Sequence, residues 1–451
     1  MVAPLPRAFD CGDGFRDALN RPAGGGECMA VGSSERKGIQ MNRLLRRGGI
    51  ALSALTLGAS ASAGLGASAS ASARPATAPS SAAAATNTPA ARLYAALDQL
   101  LREHVDLTAT VVETAVSSGA SSAQTKAAEQ TLGENTDALG AAIGSIYGAA
   151  ARAEFLKLWR AHIGYFVSFT LGKATHNEAM VQIARRDLAG YVASFARFMS
   201  KATKLPVAAL EADLRGHVTT LERAIDAIVA KSPEAGDAVQ MAAMHMDGTA
   251  QVLAEGIVSS KPAITGQVAS KASNLRAGLT GLLIQHVADT GFVVETAIAA
   301  KGDLKNPEVM GAVHALALNT DALGAAFGAL YGPAAKAEFL KLWRAHVGFF
   351  VNYTLGVATH RSAMVANAQR DLNGYVASFS QFVAGATNLA ASGVAADLRG
   401  HISTLETAID AIVAGKPAAA QDLMMAESHM AGTAAVLAGG IVASMPSKFG
   451  H

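Results

Sequence analysis

The chain has 451 residues, of which 51% are hydrophobic but only 5% aromatic, and its formal net charge at pH 7 is +2. This length allows two or three domains with cores of their own, and the hydrophobic share reflects alanine, the strongest helix former, so we expect an all-α protein. A nearly balanced charge without a Lys/Arg block in the body of the chain argues against a nucleic-acid partner.

The N-terminal part of the chain is predicted to be targeting and linker sequence. From Met41 a basic segment precedes a weakly apolar stretch and then repeated Ala-Ser-Ala, with a cleavage site predicted after Ala73. This order is typical of a secretory signal peptide. We therefore predict three segments, namely a disordered upstream extension (1–40), a signal peptide (41–73) and a Pro/Ala/Ser linker (74–90).

The signal predicts a secreted or cell-surface protein. Arg46-Arg47 is compatible with the twin-arginine route, but Gly48 after the pair fits it poorly, so the Sec route stays open as well. The small residues of the signal argue against a stable membrane span after cleavage. Cys11 and Cys28 both precede the signal, so we expect a mature protein without thiols.

An internal repeat is the strongest pattern in the chain. The sequence Ala-Glu-Phe-Leu-Lys-Leu-Trp-Arg-Ala-His at 153–162 recurs unchanged at 337–346. The offset between His104 and His286 is two residues smaller, which places a two-residue insertion in the loop after the first helix of the second copy. We therefore predict two tandem copies of one domain, at 91–260 and 274–446.

Each copy is predicted to contain six amphipathic helices, because apolar residues recur at steps of three and four between Gly, Pro, Ser or Asn breaks. In the first copy these helices are expected at 92–117, 121–146, 149–173, 177–202, 206–231 and 235–259. Short connections between long helices imply antiparallel neighbours. We expect two tandem up-and-down antiparallel helical bundles.

Polar residues interrupt the apolar stripe near the middle of five helices in each copy. His162, for example, lies at the centre of a face formed by Phe155, Trp159 and Phe166. Because the midpoints of antiparallel helices lie at one level, we expect the interrupting residues to form one buried layer. They are His104, Asn135, His162, His217 and His245 in the first copy and His286, Asn319, His346, His401 and His429 in the second.

Such a layer needs partners, because a buried imidazole or amide without one costs roughly 1–3 kcal/mol. Several neutral imidazoles suit copper, zinc, iron or nickel, whereas calcium and magnesium would need clustered carboxylates. We therefore predict one transition-metal site per copy, formed by the four histidines and supported by neighbouring polar residues. The supporting residues are Asn135 and Asp213 in the first copy and Asn319 and Asp397 in the second.

Nearby methionines slightly favour copper, although methionine fills helical cores far more often than it binds metal. They are Met241, Met246, Met425 and Met430. His176 and His360 fall at the junction of the third and fourth helices of each copy, where capping or surface positions are expected.

A hydrogen-bonded network is the alternative interpretation of the layer. A core histidine usually bonds to a backbone carbonyl or to a hydroxyl, here Thr108 or Thr290 one turn away. The layer would then only fix the helix register of a cell-surface structural or protein-interaction module, whose protein partner the sequence does not identify. An enzyme is the least favoured class and no catalytic residues are predicted, because no nucleophile with a base, phosphate loop or haem motif is present.

Two motifs resemble those of secreted bacterial helical-repeat proteins without an assigned activity. They are Leu-Trp-x-x-His-Ile/Val-Gly-Phe/Tyr-Phe-Val at 158–167 and 342–351, and Asp-Leu-x-Gly-Tyr at 187–191 and 371–375. Some such sequences look similar to chains described as copper amine oxidase-like. The residues do not support that enzyme, whose quinone-forming tyrosine lies in Asn-Tyr-Asp/Glu, because the nearest match, Asn352-Tyr353-Thr354, lacks the acid.

Overall fold

The computed structural model describes residues 84–450. The predicted upstream extension, the signal peptide and the linker up to residue 83 lie outside the described residues. Within the described range the chain forms twelve α-helices and no β-strand, which confirms the all-α prediction.

The helices fall into two sets of six that follow the sequence repeat. The first set is α1 (Pro89–Ser118), α2 (Ala123–Tyr147), α3 (Ala149–Ala174), α4 (Glu178–Thr203), α5 (Val207–Val229) and α6 (Ala235–Ser260). The second set is α7 (Lys271–Ala299), α8 (Pro307–Tyr331), α9 (Pro333–Ala358), α10 (Ser362–Thr387), α11 (Ala391–Val413) and α12 (Ala419–Ser444), followed by a short 3-10 helix (Pro446–Phe449). The six helices expected in the first copy are all present.

Local sequence explains where several of these helices begin and end. The Thr88 side chain accepts a hydrogen bond from the backbone of Ala91 at the start of α1, and Ser122 caps α2 in the same way; both satisfy backbone donors that a helix start leaves free. Gly148 alone joins α2 to α3 with φ of 89°, a backbone conformation that favours glycine. Such short connections turn the chain back on itself.

Each set of six helices closes into a bundle in which neighbours along the chain pack together and the last helix packs on the first. The two bundles also share one continuous apolar core, because α1 contacts α7, α6 contacts α8 and α12 contacts α2. The contacts between repeats thus recur in equivalent pairs. They place α1 and α7 between the two bundles, in the middle of the described part of the chain.

Helix α7 illustrates the effect of this central position. Among the described helices, it is the one long and apolar enough by composition to cross a membrane, and 89% of its most apolar window is buried inside the protein. A core helix surrounded by other helices has the same composition as a membrane span.

Candidate metal centre

Three histidines of each repeat meet in the middle of its bundle. In the first repeat His104 comes from α1, His162 from α3 and His217 from α5, and their exposed fractions are 1%, 0% and 2%. The second repeat brings together His286 from α7, His346 from α9 and His401 from α11. We call these two groups the first and second triad.

The spacing of the ring nitrogens suits coordination of one ion. In each triad one nitrogen from every ring lies within 4.8 Å of the others, so each triad could hold a metal ion. The Nε2 atoms of His104 and His162 are 3.3 Å apart, and those of His286 and His346 are 3.2 Å apart. Two imidazoles bound to one tetrahedral ion at roughly 2.0–2.1 Å would have their nitrogens about 3.3–3.4 Å apart.

Aromatic side chains hold the central ring of the first triad. His162 stacks on Tyr191, with ring centroids 4.6 Å apart and planes 14° apart, and Trp159 meets it edge-on at 4.7 Å. Tyr375 and Trp343 repeat both contacts around His346. The Leu-Trp-x-x-His and Asp-Leu-x-Gly-Tyr motifs therefore form the wall of each triad.

Burial keeps the triad rings neutral. Desolvation, and secondarily the charge of His217, lowers the pKa of His104 to about 3, and burial beside His245 lowers the pKa of His217 to about 4. The pKa of His162 is also held well below its ordinary value by burial and by the other two rings. Neutral imidazoles keep a lone pair for a metal.

Several ring nitrogens have no hydrogen-bond partner within residues 84–450. They include Nδ1 of His104 and both nitrogens of His217, and the same atoms of His286 and His401 in the second triad. Thr108 does not satisfy the ring nitrogens of His104, because its hydroxyl donates to the backbone carbonyl of that residue at 2.7 Å instead of to the ring. A hydrogen-bonded network alone therefore leaves these buried nitrogens unsatisfied.

The fourth predicted histidine of each repeat lies outside the triad. Nε2 of His245 is 3.0 Å from the backbone oxygen of Asp213, and a quarter of its side chain is exposed. Its ring packs on Gly216, where an added Cβ would be 2.5 Å from Cε1 of the ring. His429 makes the same contacts with Asp397 and Gly400.

The predicted supporting residues contact other groups than the triads. Asp213 accepts a hydrogen bond from Thr249 and lies 3.7 Å from His245, whereas the ring nitrogens of His217 have no hydrogen-bond partner within the described part of the chain. Asn135 and Asn319 donate to backbone carbonyls, of Leu100 at 3.0 Å and of Leu282 at 2.9 Å. In the second repeat Thr433 donates to Asp397 at 2.8 Å.

The methionines also divide between surface and core. Met241 and Met425 are about half exposed, with 48% and 56% of their surface accessible, while Met246 and Met430 are buried in the core. His176 and His360 are exposed at the junctions that follow α3 and α9. The candidate ligands that the structure brings together are thus the six triad histidines.

Of the residues that form the wall of the first triad, the sequence placed Trp159 beside His162, whereas it did not predict the contact between Tyr191 and the ring. Trp159 lies three residues before His162, almost one helical turn, which places both on one face of the helix. Tyr191 comes from the next helix, and no pattern within one helix indicates that contact.

Comparison with protein-family models, with curated proteins and with solved structures finds no match to this chain.

Proposed function

We propose that each repeat binds one transition-metal ion through its triad, and that the protein is an exported, non-catalytic metal-binding protein. The observation that supports this function is the convergence of three buried, neutral imidazoles whose nitrogens lie within 4.8 Å of one another. The unpaired nitrogens of His217 and His401 add to it, because coordination would use a lone pair that no hydrogen bond uses.

The ligand set favours copper(I). Three neutral ligands bring no negative charge to a fully buried site, and both cysteines lie outside the described residues. Transfer of an ion into a low-dielectric interior becomes much less favourable as its charge rises, so a monovalent ion is easier to accommodate than Zn²⁺. Imidazole is a suitable ligand for copper as well as for zinc and iron.

The test is the metal content of the purified protein after equilibration with copper(I), zinc or iron(II) and removal of unbound metal. We expect about two ions per chain, with copper(I) bound most tightly. The double variant His162→Ala/His346→Ala should lose both ions, and each single variant should lose one.

The matched control is His245→Ala/His429→Ala. These two imidazoles belong to the same bundles, but their Nε2 atoms contact backbone oxygens and lie outside the triads. This variant should keep both ions. Absence of retained metal, together with no affinity on titration, would overturn the proposal. If the protein binds no metal and His162→Ala/His346→Ala is less stable than the original protein, a structural module with a hydrogen-bonded layer is favoured.

A further inference from the structure

A cavity of about 390 Å³ extends through the second repeat from the second triad to the end of the bundle. His286 is 1% exposed and lies at its closed end, whereas Lys301 and His360 are exposed and lie where α7 and α9 end. The rise of an α-helix places residues 286 and 301 about 22 Å apart along the axis. The cavity therefore connects the triad level with the protein surface.

The walls of this cavity are hydrocarbon. Its side chains include Val293, Val294, Leu316, Val347, Phe350 and Leu355. Thr290 and Thr354 also line it, but their hydroxyls donate to the backbone carbonyls of His286 at 2.7 Å and of Phe350 at 2.9 Å. Between the mouth and His286, the two wall hydroxyls are therefore already occupied.

Two differences between the repeats coincide with the cavity. Val347 lies on its wall at the position where the first repeat has the longer Ile163, which packs against the apolar core. The connection between α7 and α8 (300–306) is also longer than that between α1 and α2 (119–122), and it places Lys301 at the mouth. Sequence differences between the copies thus shape this space.

We propose that the cavity binds one small, uncharged, mainly apolar molecule per chain, with a single polar group directed to the His286 end. Cavities of this size with hydrocarbon walls and few polar groups are typical small-molecule sites. A charged group near His286 is disfavoured because Lys301, the charged side chain that lines the cavity, lies at its mouth and the rest of the wall is hydrocarbon. Binding of the apolar part of the molecule does not depend on the proposed metal. The partner of its polar group does rest on the proposed function, because that partner is His286 in the metal-free protein and an ion held by the triad in the loaded one.

The experiment measures binding of toluene and of benzyl alcohol to the full chain, both free of metal and loaded with copper(I), by calorimetric titration. We expect one saturable site per chain for both probes. Ala297→Phe fills the cavity and should weaken toluene binding at least tenfold. Its counterpart in the first repeat, Ala115→Phe, is the matched control and should bind toluene like the original protein.

A second pair of variants guards against misfolding of the first. Ala358→Leu narrows the same cavity by a smaller change, and Ala174→Leu is its counterpart in the first repeat. His286→Ala should lower the affinity for benzyl alcohol about fivefold more than that for toluene in the metal-free protein, because one hydrogen bond of about 1 kcal/mol is lost.

Several results would contradict the proposal. They are the absence of saturable toluene binding, equal losses in the first-repeat controls, and an unchanged preference between the probes in His286→Ala. Metal content measured on the same samples separates the two ideas. Two ions per chain without toluene binding overturns the cavity proposal alone, and toluene binding sensitive to Ala297→Phe without bound metal overturns the metal proposal alone.

Discussion

The ring of His162 is positioned by its neighbours before any ligand binds. Tyr191 stacks on one face of the ring, Trp159 meets it edge-on, and Nε2 faces Nε2 of His104. These contacts fix the ring in a packed interior where few alternative rotamers fit. A ligand held in this way loses little conformational freedom on binding, which favours affinity.

Metal binding by the triads should persist at acidic pH. An ordinary histidine has a pKa near 6.5, so it must lose a proton to bind metal at pH 5, which weakens binding about 30-fold for each ring. Burial instead lowers the pKa of His104 to about 3 and that of His217 to about 4, so both rings remain neutral at pH 5. We expect the apparent affinity to change less than about tenfold between pH 7 and pH 5.

A competition titration against a chelator of known pH dependence measures this affinity at pH 7 and at pH 5. The control is a histidine-tag peptide, which should lose metal at pH 5. Affinity that falls as steeply for the protein as for the peptide would show that the triad rings take up protons near pH 6.5.

At the scale of elements, the period of apolar residues predicted the helices and the levels of the polar residues along them. It did not resolve how each helix is rotated, because an apolar stripe covers 100° or more of the helix surface. His217 on α5 lies at the centre of its stripe and joins the triad, whereas His245 on α6 lies at the edge. Instead of reaching the triad, the ring of His245 packs on Gly216 of α5, a contact that the sequence does not reveal.

Replacement of Gly216 by alanine should therefore destabilise the contact between α5 and α6. The new Cβ would lie 2.5 Å from Cε1 of His245, so the ring must move and its contact with the backbone oxygen of Asp213 must lengthen. Relative to a glycine-to-alanine change on an open helix face, we expect the free energy of unfolding to fall by about 1–3 kcal/mol. Chemical denaturation of the purified variant measures the change.

Gly164→Ala on α3 is the control, because nothing lies within 4 Å of the added Cβ there. Alanine is the better helix former, so this variant should gain about 0.5–1 kcal/mol. If Gly216→Ala proves as stable as Gly164→Ala, the close contact between the two helices is not tight.

At the scale of the whole molecule, the packing of one repeat on the other is the feature that the sequence did not reveal. Arg102 on α1 donates to Gln285 on α7 of the other repeat at 3.0 Å, and to both carboxylate oxygens of Asp247 on α6 of its own repeat at 2.5 Å each. Charges on an amphipathic helix normally face solvent. From the sequence pattern alone, a charged helix face exposed to solvent looks the same as a charged helix face that packs against the second repeat.

Acidic side chains outnumber basic ones in this buried interface. Arg102 is the one buried Lys or Arg among residues 84–450. Both oxygens of Asp106 lack a hydrogen-bond partner there, and burial raises the pKa of Asp106 to about 8 and that of Asp289 to about 7. These carboxyl groups are therefore protonated in the folded protein at mildly acidic pH.

The metal-free protein should for this reason become more stable as the pH falls from 8.5 to 6.5. Carboxyl groups whose folded pKa lies above the ordinary value near 4 bind protons in the folded state that the unfolded chain does not bind, so lower pH favours folding by up to about 1.4 kcal/mol per pH unit for each group. Burial also raises the pKa of Glu295 to about 8 and that of Glu113 to about 7. After subtracting about 0.4 kcal/mol for each triad histidine at pH 6.5, we expect a net gain of at least about 2 kcal/mol over this range. Urea denaturation at constant ionic strength measures it.

Below pH 6.5 the gain should level off, because the triad histidines act in the opposite sense. Their folded pKa values are lowered, so the unfolded chain takes up protons that the folded protein does not. Asp106→Asn/Asp289→Asn should flatten the rise between pH 8.5 and 6.5, whereas Asp137→Asn, at an exposed ion pair with Arg160, should leave it unchanged. A stability that decreases from pH 8.5 to 6.5 would mean that the interface carboxyls are ionised in the folded protein, and hence hydrated or paired.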